Sequence, residues 1–206
     1  MNLVKRVLMA CIGFILLGFG VGIMRAIDLG VDPFGALAVG LSNLTGLSFG
    51  TVLVLMHSPF FVLMLCKMRR TIGVGTVLGM IIIGYIVDFF YFMTSIAPIE
   101  FMELGLVVRL FLLLITLFIF SFGIAMYIVA DIGIVPYDSF GVIMENMTGG
   151  KVKFKWARLS ADGLCALAAF LLGATLGIAT ILTVFCLGPL ISFFRRHIKT
   201  RLGNPT

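Results

Sequence analysis

Charge is what this sequence has least of. Charged residues make up 12% of the 206 positions against 61% hydrophobic, and the mean hydropathy is +1.22. Soluble domains carry about a quarter charged residues, so an ordinary water-soluble globule is excluded. Metal-binding side chains are equally scarce. The four cysteines, Cys11, Cys66, Cys165 and Cys186, sit inside or at the ends of apolar runs with no CxxC pair, and read as small hydrophobes. His57 and His197 are far apart with no thiol cluster near them, so neither a metal nor a cofactor is expected. HExxH, GxSxG and GxxxxGK[ST] are absent, which argues against an enzyme. The net charge of +6 forms no basic stripe interleaved with aromatics, which argues against a nucleic-acid partner. The basic N-terminus leads into an apolar run that lacks a small-residue cleavage site, and reads as a first membrane helix rather than a signal peptide.

What is present is a series of long apolar runs. Spans are expected at 7–26, 50–66, 72–93, 106–129, 157–173 and 176–194, each near the roughly 20 residues needed to cross a hydrocarbon core. Lys5 and Arg6, then Lys67, Arg69 and Arg70, then Lys151, Lys153, Lys155 and Arg158, then Arg195, Arg196, Lys199 and Arg201 all fall on one side if both termini are inside. Thirteen of the 15 Lys and Arg residues then lie there, leaving Arg25 and Arg109 outside. The positive-inside rule makes that side cytoplasmic, with the N- and C-termini both cytoplasmic. One membrane domain, 1–206, is expected in a lipid bilayer, its last residues, 195–206, forming a basic cytoplasmic tail.

The chain also repeats itself. The segment from Gly18 matches the segment from Ser121 at a constant offset of 103 residues, pairing Asp28 with Asp131, Gly30 with Gly133, Pro33 with Pro136, Phe34 with Tyr137, and Asn43 with Asn146. A second block from Thr71 matches one from Thr175, pairing Gly73 with Gly177 and Thr76 with Thr180. Two units follow, 7–93 and 106–194. With three spans each, the second enters the membrane from the opposite side, so the fold class is an all-α membrane protein of six helices in two inverted repeats.

In each unit an Asp-x-Gly-x-x-Pro-aromatic segment follows the first span. Gly30 and Gly133 suit a left-handed helix end, and Pro33 and Pro136 suit a new first turn. Asp32 is a plausible N-cap; Val135 is not. The stretches 33–45 and 136–148 are too short to cross, and read as half-helices, re-entrant or interfacial. Carboxylates at membrane depth are costly and mark function, which makes Asp28 and Asp131 the first candidates, although Arg25, one turn before Asp28, offers it a structural partner. Asp32, Asp138, Asp88 and Asp162 are further candidates, Asp138 with Glu145 and Asp131 forming an acidic lining or a solvated face. His57, beside Ser58-Pro59 where a kink is expected, is a candidate proton relay or a packing residue.

The paired Asp-x-Gly-x-x-Pro-aromatic segments, each followed by a Thr-Gly turn, and the Gly-x-Gly-Thr and Gly-x-Ala-Thr starts of the third helices resemble the YczE/YyaS/YitT group of bacterial integral membrane proteins, most closely its YczE-like branch. The resemblance runs over roughly residues 8–195 and implies a bacterial cytoplasmic membrane location. It implies no substrate and no functional residue. The residues themselves point to an ATP-independent secondary transporter, with or without proton coupling, of a small polar, cationic or zwitterionic solute bound between the repeats. Seven of the nine acidic residues lie in or beside the spans, which favours cationic or zwitterionic solutes. Two other classes stay open: a non-transporting assembly or regulatory protein, and a lipid-moving one. Association as a homodimer also stays open.

Overall fold

In a computed structural model the described residues are 2–97, 100–152, 154–174 and 176–202, with the side chains of Phe154 and Lys155 set aside. Lys153 and Thr175, used above in the charge count and the second repeated block, lie outside them, as do residues 203–206 of the basic tail. Among the described residues the chain is all α, with a single 3-10 turn at Arg69–Thr71. The helices are α1 (Leu3–Ala26), α2 (Pro33–Thr45), α3 (Phe49–Lys67), α4 (Val74–Ile96), α5 (Leu106–Ala130), α6 (Pro136–Met147), α7 (Phe154–Leu171) and α8 (Ile178–Arg201). Five of them, α1, α3, α4, α5 and α8, are long and apolar enough to cross a membrane. α7 is 18 residues long and carries Lys155, Arg158 and Asp162 in its first half, so it lacks the charge-poor 18-residue stretch that each of the other five has.

The outer surface suits lipid. Phe89, Phe92, Phe111, Phe118, Phe170 and Phe185 project outward and are at least half exposed, which an aqueous surface would not tolerate in such number. Because lipid tails are as apolar as these side chains, helix association has to come from close packing and internal polar contacts.

α1 and α5 form the central pair and run antiparallel. Gly13 and Gly123 face each other at the crossing, where a Cβ on Gly123 would lie 2.6 Å from the Gly13 carbonyl oxygen. The ends of this pair are tied reciprocally. Arg109, at the start of α5, donates through Nε to the Ile27 carbonyl at 2.8 Å, beyond the end of α1. Arg6, 103 positions earlier, donates to the Asp131 carbonyl at 3.3 Å, beyond the end of α5. Each arginine thereby satisfies carbonyls that a helix C-terminus leaves without partners.

Other contacts come in matched pairs as well. The Gly75 N–H donates to the Ile132 carbonyl at 2.8 Å, and the Ala179 N–H to the Leu29 carbonyl at 2.9 Å. The turn after α5 thus seats on the start of α4, and the turn after α1 on the start of α8. At those starts the Thr76 and Thr180 hydroxyls accept from the Gly73 and Gly177 N–H groups at 3.2 and 3.4 Å. Glycine is required at the N-cap, since a Cβ on Gly73 or Gly177 would sit 2.1 Å from the carbonyl oxygen of the facing turn. The short helices cross over in the same way: α2 packs against α7, and α6 against α3.

α2 and α6 begin where the prolines place them. Asp32 caps α2, its carboxylate accepting from the Gly35 N–H at 3.1 Å, while Val135 supplies no side-chain cap to α6. Gly30 and Gly133 do adopt positive φ, at 91° and 124°. The left-handed residues closest to the helix ends, however, are Asp28 and Asp131, with φ of 47° and 52°. Short polar side chains are among the few besides glycine to enter that region.

Candidate functional site

The N-terminal ends of α2 and α6 meet in the middle of the bundle. The rings of Phe34 and Tyr137, one residue into each short helix, stack with centroids 4.0 Å apart and planes 16° from parallel. They close on a narrow cleft of about 70 Å³ that is lined from seven of the eight helices, by residues including Asp32, Phe34, His57, Tyr137, Asp138 and Arg158. At about 30 Å³ per liquid water this holds about two waters.

Arg158 of α7 organises the polar side of the cleft. It forms ion pairs with Asp138 and, through Nε at 3.3 Å, with Asp162. Its guanidinium carbon lies 4.4 Å from the centroid of the Tyr137 ring, a cation–π contact. Both tyrosine hydroxyls donate into the same group, Tyr137 to Asp162 and Tyr127 to Asp138. Asp32 lines the same cleft as Arg158 and Asp138. Two carboxylates therefore pair with one guanidinium while a third shares its cleft, and Asp32 and Asp138 sit at the N-termini of two helices, whose dipoles favour negative charge there. His57 is buried at the edge of the cleft. Its ring packs edge-on to Phe34 at 5.0 Å, and its Nδ1 lies 2.7 Å from the Leu53 carbonyl oxygen one turn back. α3 continues through Pro59 to Lys67.

The residues expected from the sequence separate into two groups. Asp32, Asp138, Asp162, His57, Phe34 and Tyr137 are brought together here, and Pro33 and Pro136 open the helices that carry them. Asp28 and Asp131 are not in this group. Both are exposed, because the left-handed backbone that ends α1 and α5 turns their side chains outward. Arg25 does not pair with Asp28. It bonds Asp88 at 3.3 Å and lies 4.6 and 4.1 Å from the ring centroids of Phe49 and Tyr91. Asp88 in turn accepts from the Gly50 N–H at 2.8 Å, so it is held as a structural cap for α3, apart from the cleft. Asn43 and Asn146 lie toward the far ends of α2 and α6, both away from the cleft and exposed. Gly30 and Gly133 serve the seating of the turns on α8 and α4.

Neutralising the two exposed aspartates should therefore cost little. The Arg6–Asp131 pair is 3.5 Å long, with 83% of the aspartate side chain exposed, and exposed pairs are worth about 0–1 kcal/mol. Asp28→Asn and Asp131→Asn should each melt within about 0.5 kcal/mol of the parent in detergent, asparagine also tolerating the left-handed backbone. A large loss in either variant would show that the carboxylate makes a structural contact beyond this exposed surface.

Arg158, Tyr127, Arg6 and Arg109 have roles that the sequence alone does not announce. In the sequence Arg158 reads as part of the basic flank of the fifth span, although Asp162 four residues on shares its helix face. The 103-residue spacing of Arg6 and Arg109 is the one signal of the end-tying pair.

Comparison with known proteins agrees with this membrane architecture. Residues 4–196 match the model of DUF6198, described as a family of unknown function. The chain belongs to this family. It is 29% identical over 187 residues to the uncharacterized membrane protein YczE of Bacillus subtilis, covering 88% of this chain and 81% of YczE. It is 29% identical over 184 residues to the uncharacterized protein YyaS of the same organism, covering 87% of each. An uncharacterized protein of Haemophilus influenzae is 28% identical over 180 residues, covering 87% of this chain and 78% of its own. The YczE/YyaS group read from the motifs is thus the right one. No solved structure matches the chain. With five long apolar helices and membrane-protein relatives, it is a multi-pass membrane protein.

Proposed function

We propose that this protein is a six-span, ATP-independent transporter of the bacterial cytoplasmic membrane, with both termini inside, built from two inverted three-helix units. In this reading α7 is the sixth span. The ion pairs of Arg158 with Asp138 and Asp162 offset the cost of charge at membrane depth. α2 and α6 are re-entrant half-helices, entering from opposite faces and meeting at Phe34 and Tyr137.

The single observation that carries the reading is the group of Asp32, Asp138 and Arg158 in a central cleft walled by both units, with Asp162 paired to Arg158. A protein held together only by its helices has no need for three carboxylates and one guanidinium at its middle. The acidic surplus suits a small cation or the ammonium end of a zwitterion, and protonation of the same carboxylates is the route to proton coupling. Arg158 and the two helix N-termini suit the carboxylate end of a zwitterion. The cleft is too small for such a solute, since ligand sites usually reach a few hundred Å³. Access therefore needs movement of the turns at 28–32 and 131–135, one toward each face, as alternating access requires.

A thermal-stability screen of the purified protein against amines, amino-acid-like zwitterions and inorganic cations at two pH values tests this. A true solute at about 100 times its Kd adds about 2.7 kcal/mol. The shift should vanish in Asp138→Asn or Asp162→Asn, and the same solute should enter proteoliposomes of the parent but not of the variants. If nothing in the panel binds and both folded variants support every cellular role of the parent, the protein is a non-transporting partner or acts on lipid.

A further inference from the structure

At the end of the bundle where α1 starts and α8 finishes lies a second, much larger cavity of about 770 Å³. Its walls come from the start of α1, the 3-10 turn and residues 71–73, the end of α5 with the turn 131–134, and the last turns of α8. Four cationic side chains line it, Arg6, Arg70, Arg195 and Lys199, against one acidic residue, Asp131. Arg6 is engaged with Asp131, through both its carbonyl and its carboxylate. Arg70, Arg195 and Lys199 have no carboxylate partner among the described residues.

We infer that this vestibule is a binding site for a phosphate-bearing anion, separate from the central cleft. Positive-inside sorting explains why basic residues gather at this end of the molecule. It does not explain why three of them, one from the 3-10 turn and two from α8, line one cavity. Arg195 and Lys199 are four residues apart, on one face of α8, and like charges so placed repel unless something negative lies between them. The duplication sharpens the point. At the 104-residue offset of the second block, Arg70, Arg195 and Lys199 correspond to Ala174, Tyr91 and Ser95, so the opposite end of the molecule shares the Arg109–Asp28 tie but none of the other three cations. Two guanidiniums and an ammonium suit a phosphate, whose oxygens accept forked hydrogen bonds and whose charge they match. Basic pockets between membrane helices at the cytoplasmic surface take lipid head groups by the same chemistry.

The test separates the two sources of phosphate. Delipidated protein in neutral detergent is melted against inorganic phosphate, with chloride at matched ionic strength as the control. In a second arm it is melted against short-chain phosphatidylglycerol, with phosphatidylcholine as the control. At least one arm should give a saturable rise in melting temperature. Arg195→Gln with Lys199→Gln should then raise the half-saturating concentration about tenfold or more, as loss of charge-assisted hydrogen bonds does. Lys199→Gln alone and Arg70→Gln serve if the double variant does not fold, and should weaken binding by a smaller factor. A response to phosphate alone indicates a soluble phosphate compound, and to phosphatidylglycerol alone a lipid. A response to both means that the phosphate group itself is read, and all three results support the site. No saturable rise in either arm, or the same half-saturation in every variant, overturns it. Because none of these residues lines the cleft, the result is independent of the transport reading.

Discussion

Arg158→Met should be among the most damaging single substitutions in this protein, lowering its stability by about 3 kcal/mol or more. Asp138 and Asp162 share this one guanidinium, and their side chains are only 20% and 12% exposed. Methionine of similar reach keeps the packing against Tyr137 but leaves two carboxylates facing each other without a cation. Removing one partner of a buried pair costs far more than removing both. The triple variant with Arg158→Met, Asp138→Asn and Asp162→Asn should therefore recover most of the lost stability, while binding no charged solute. Melting of the three proteins, parent, single and triple, in the same detergent decides it. If Arg158→Met melts with the parent, the cluster is solvated and the central-site reading fails with it.

Gly123→Leu should prevent folding altogether. The α1–α5 crossing is closed by backbone against backbone: a Cβ at Gly123 meets the Gly13 oxygen at 2.6 Å and the Leu17 nitrogen at 2.8 Å, and a Cβ at Gly13 meets the Gly123 oxygen at 2.7 Å. These are not flexible side-chain tips that could swing aside. Even Gly123→Ala must push the two helices apart, at an overpacking cost of about 1–3 kcal/mol. Leucine would separate α1 from α5 along the line on which the rest of the bundle is assembled. Gly163 is the control, because it lies in a helix yet a Cβ added there would meet nothing within 4 Å. Gly163→Ala should be neutral or slightly stabilising, since alanine is the better helix former. Size-exclusion profiles of fluorescent-tagged variants read all three. A monodisperse Gly123→Leu peak at parental level would show that the crossing tolerates a wider gap.

Much of the architecture is legible because glycine, proline and charge mark helix ends. Pro33 and Pro136 open the short helices where expected, and α2 ends at Thr45, the end expected of it. The expected spans at 7–26, 50–66, 72–93, 106–129 and 176–194 each fall on one of the five long apolar helices, within a few residues at most ends. α8 is the exception at its end, running seven residues beyond 194 into the basic segment. The site is legible only in part. Residue type and repeat position suffice to pick out Asp32, Asp138, Asp162, His57, Phe34 and Tyr137. Asp28 and Asp131 stand out most because they follow apolar runs, yet sequence alone does not reveal that each adopts the left-handed backbone itself and points away. Arg158 is hidden by its neighbours: next to Lys151, Lys153 and Lys155 it looks like one more flanking charge, and only the packing of α7 against α6 turns it inward. Arg25 finds its partner 63 positions away at Asp88 rather than one turn away, a choice that depends on α1 lying beside α4.

The reciprocal ties have a consequence for ancestry. Arg6 closes the end of α5, Arg109 closes the end of α1, and the turn after each of these helices seats on the first residues of the last helix in the other unit. A half-length chain would carry every donor and every acceptor needed for these bonds, with none of them satisfied within itself. Two copies set head to tail would satisfy all of them at once. On the inverted topology proposed above, a half-length ancestor would have worked as a pair of identical chains inserted in opposite directions, and fusion would have made their one-to-one stoichiometry permanent. Joined copies need not stay alike, and Arg158, whose counterpart is uncharged at either offset (Leu55 at 103, Val54 at 104), belongs to one half alone.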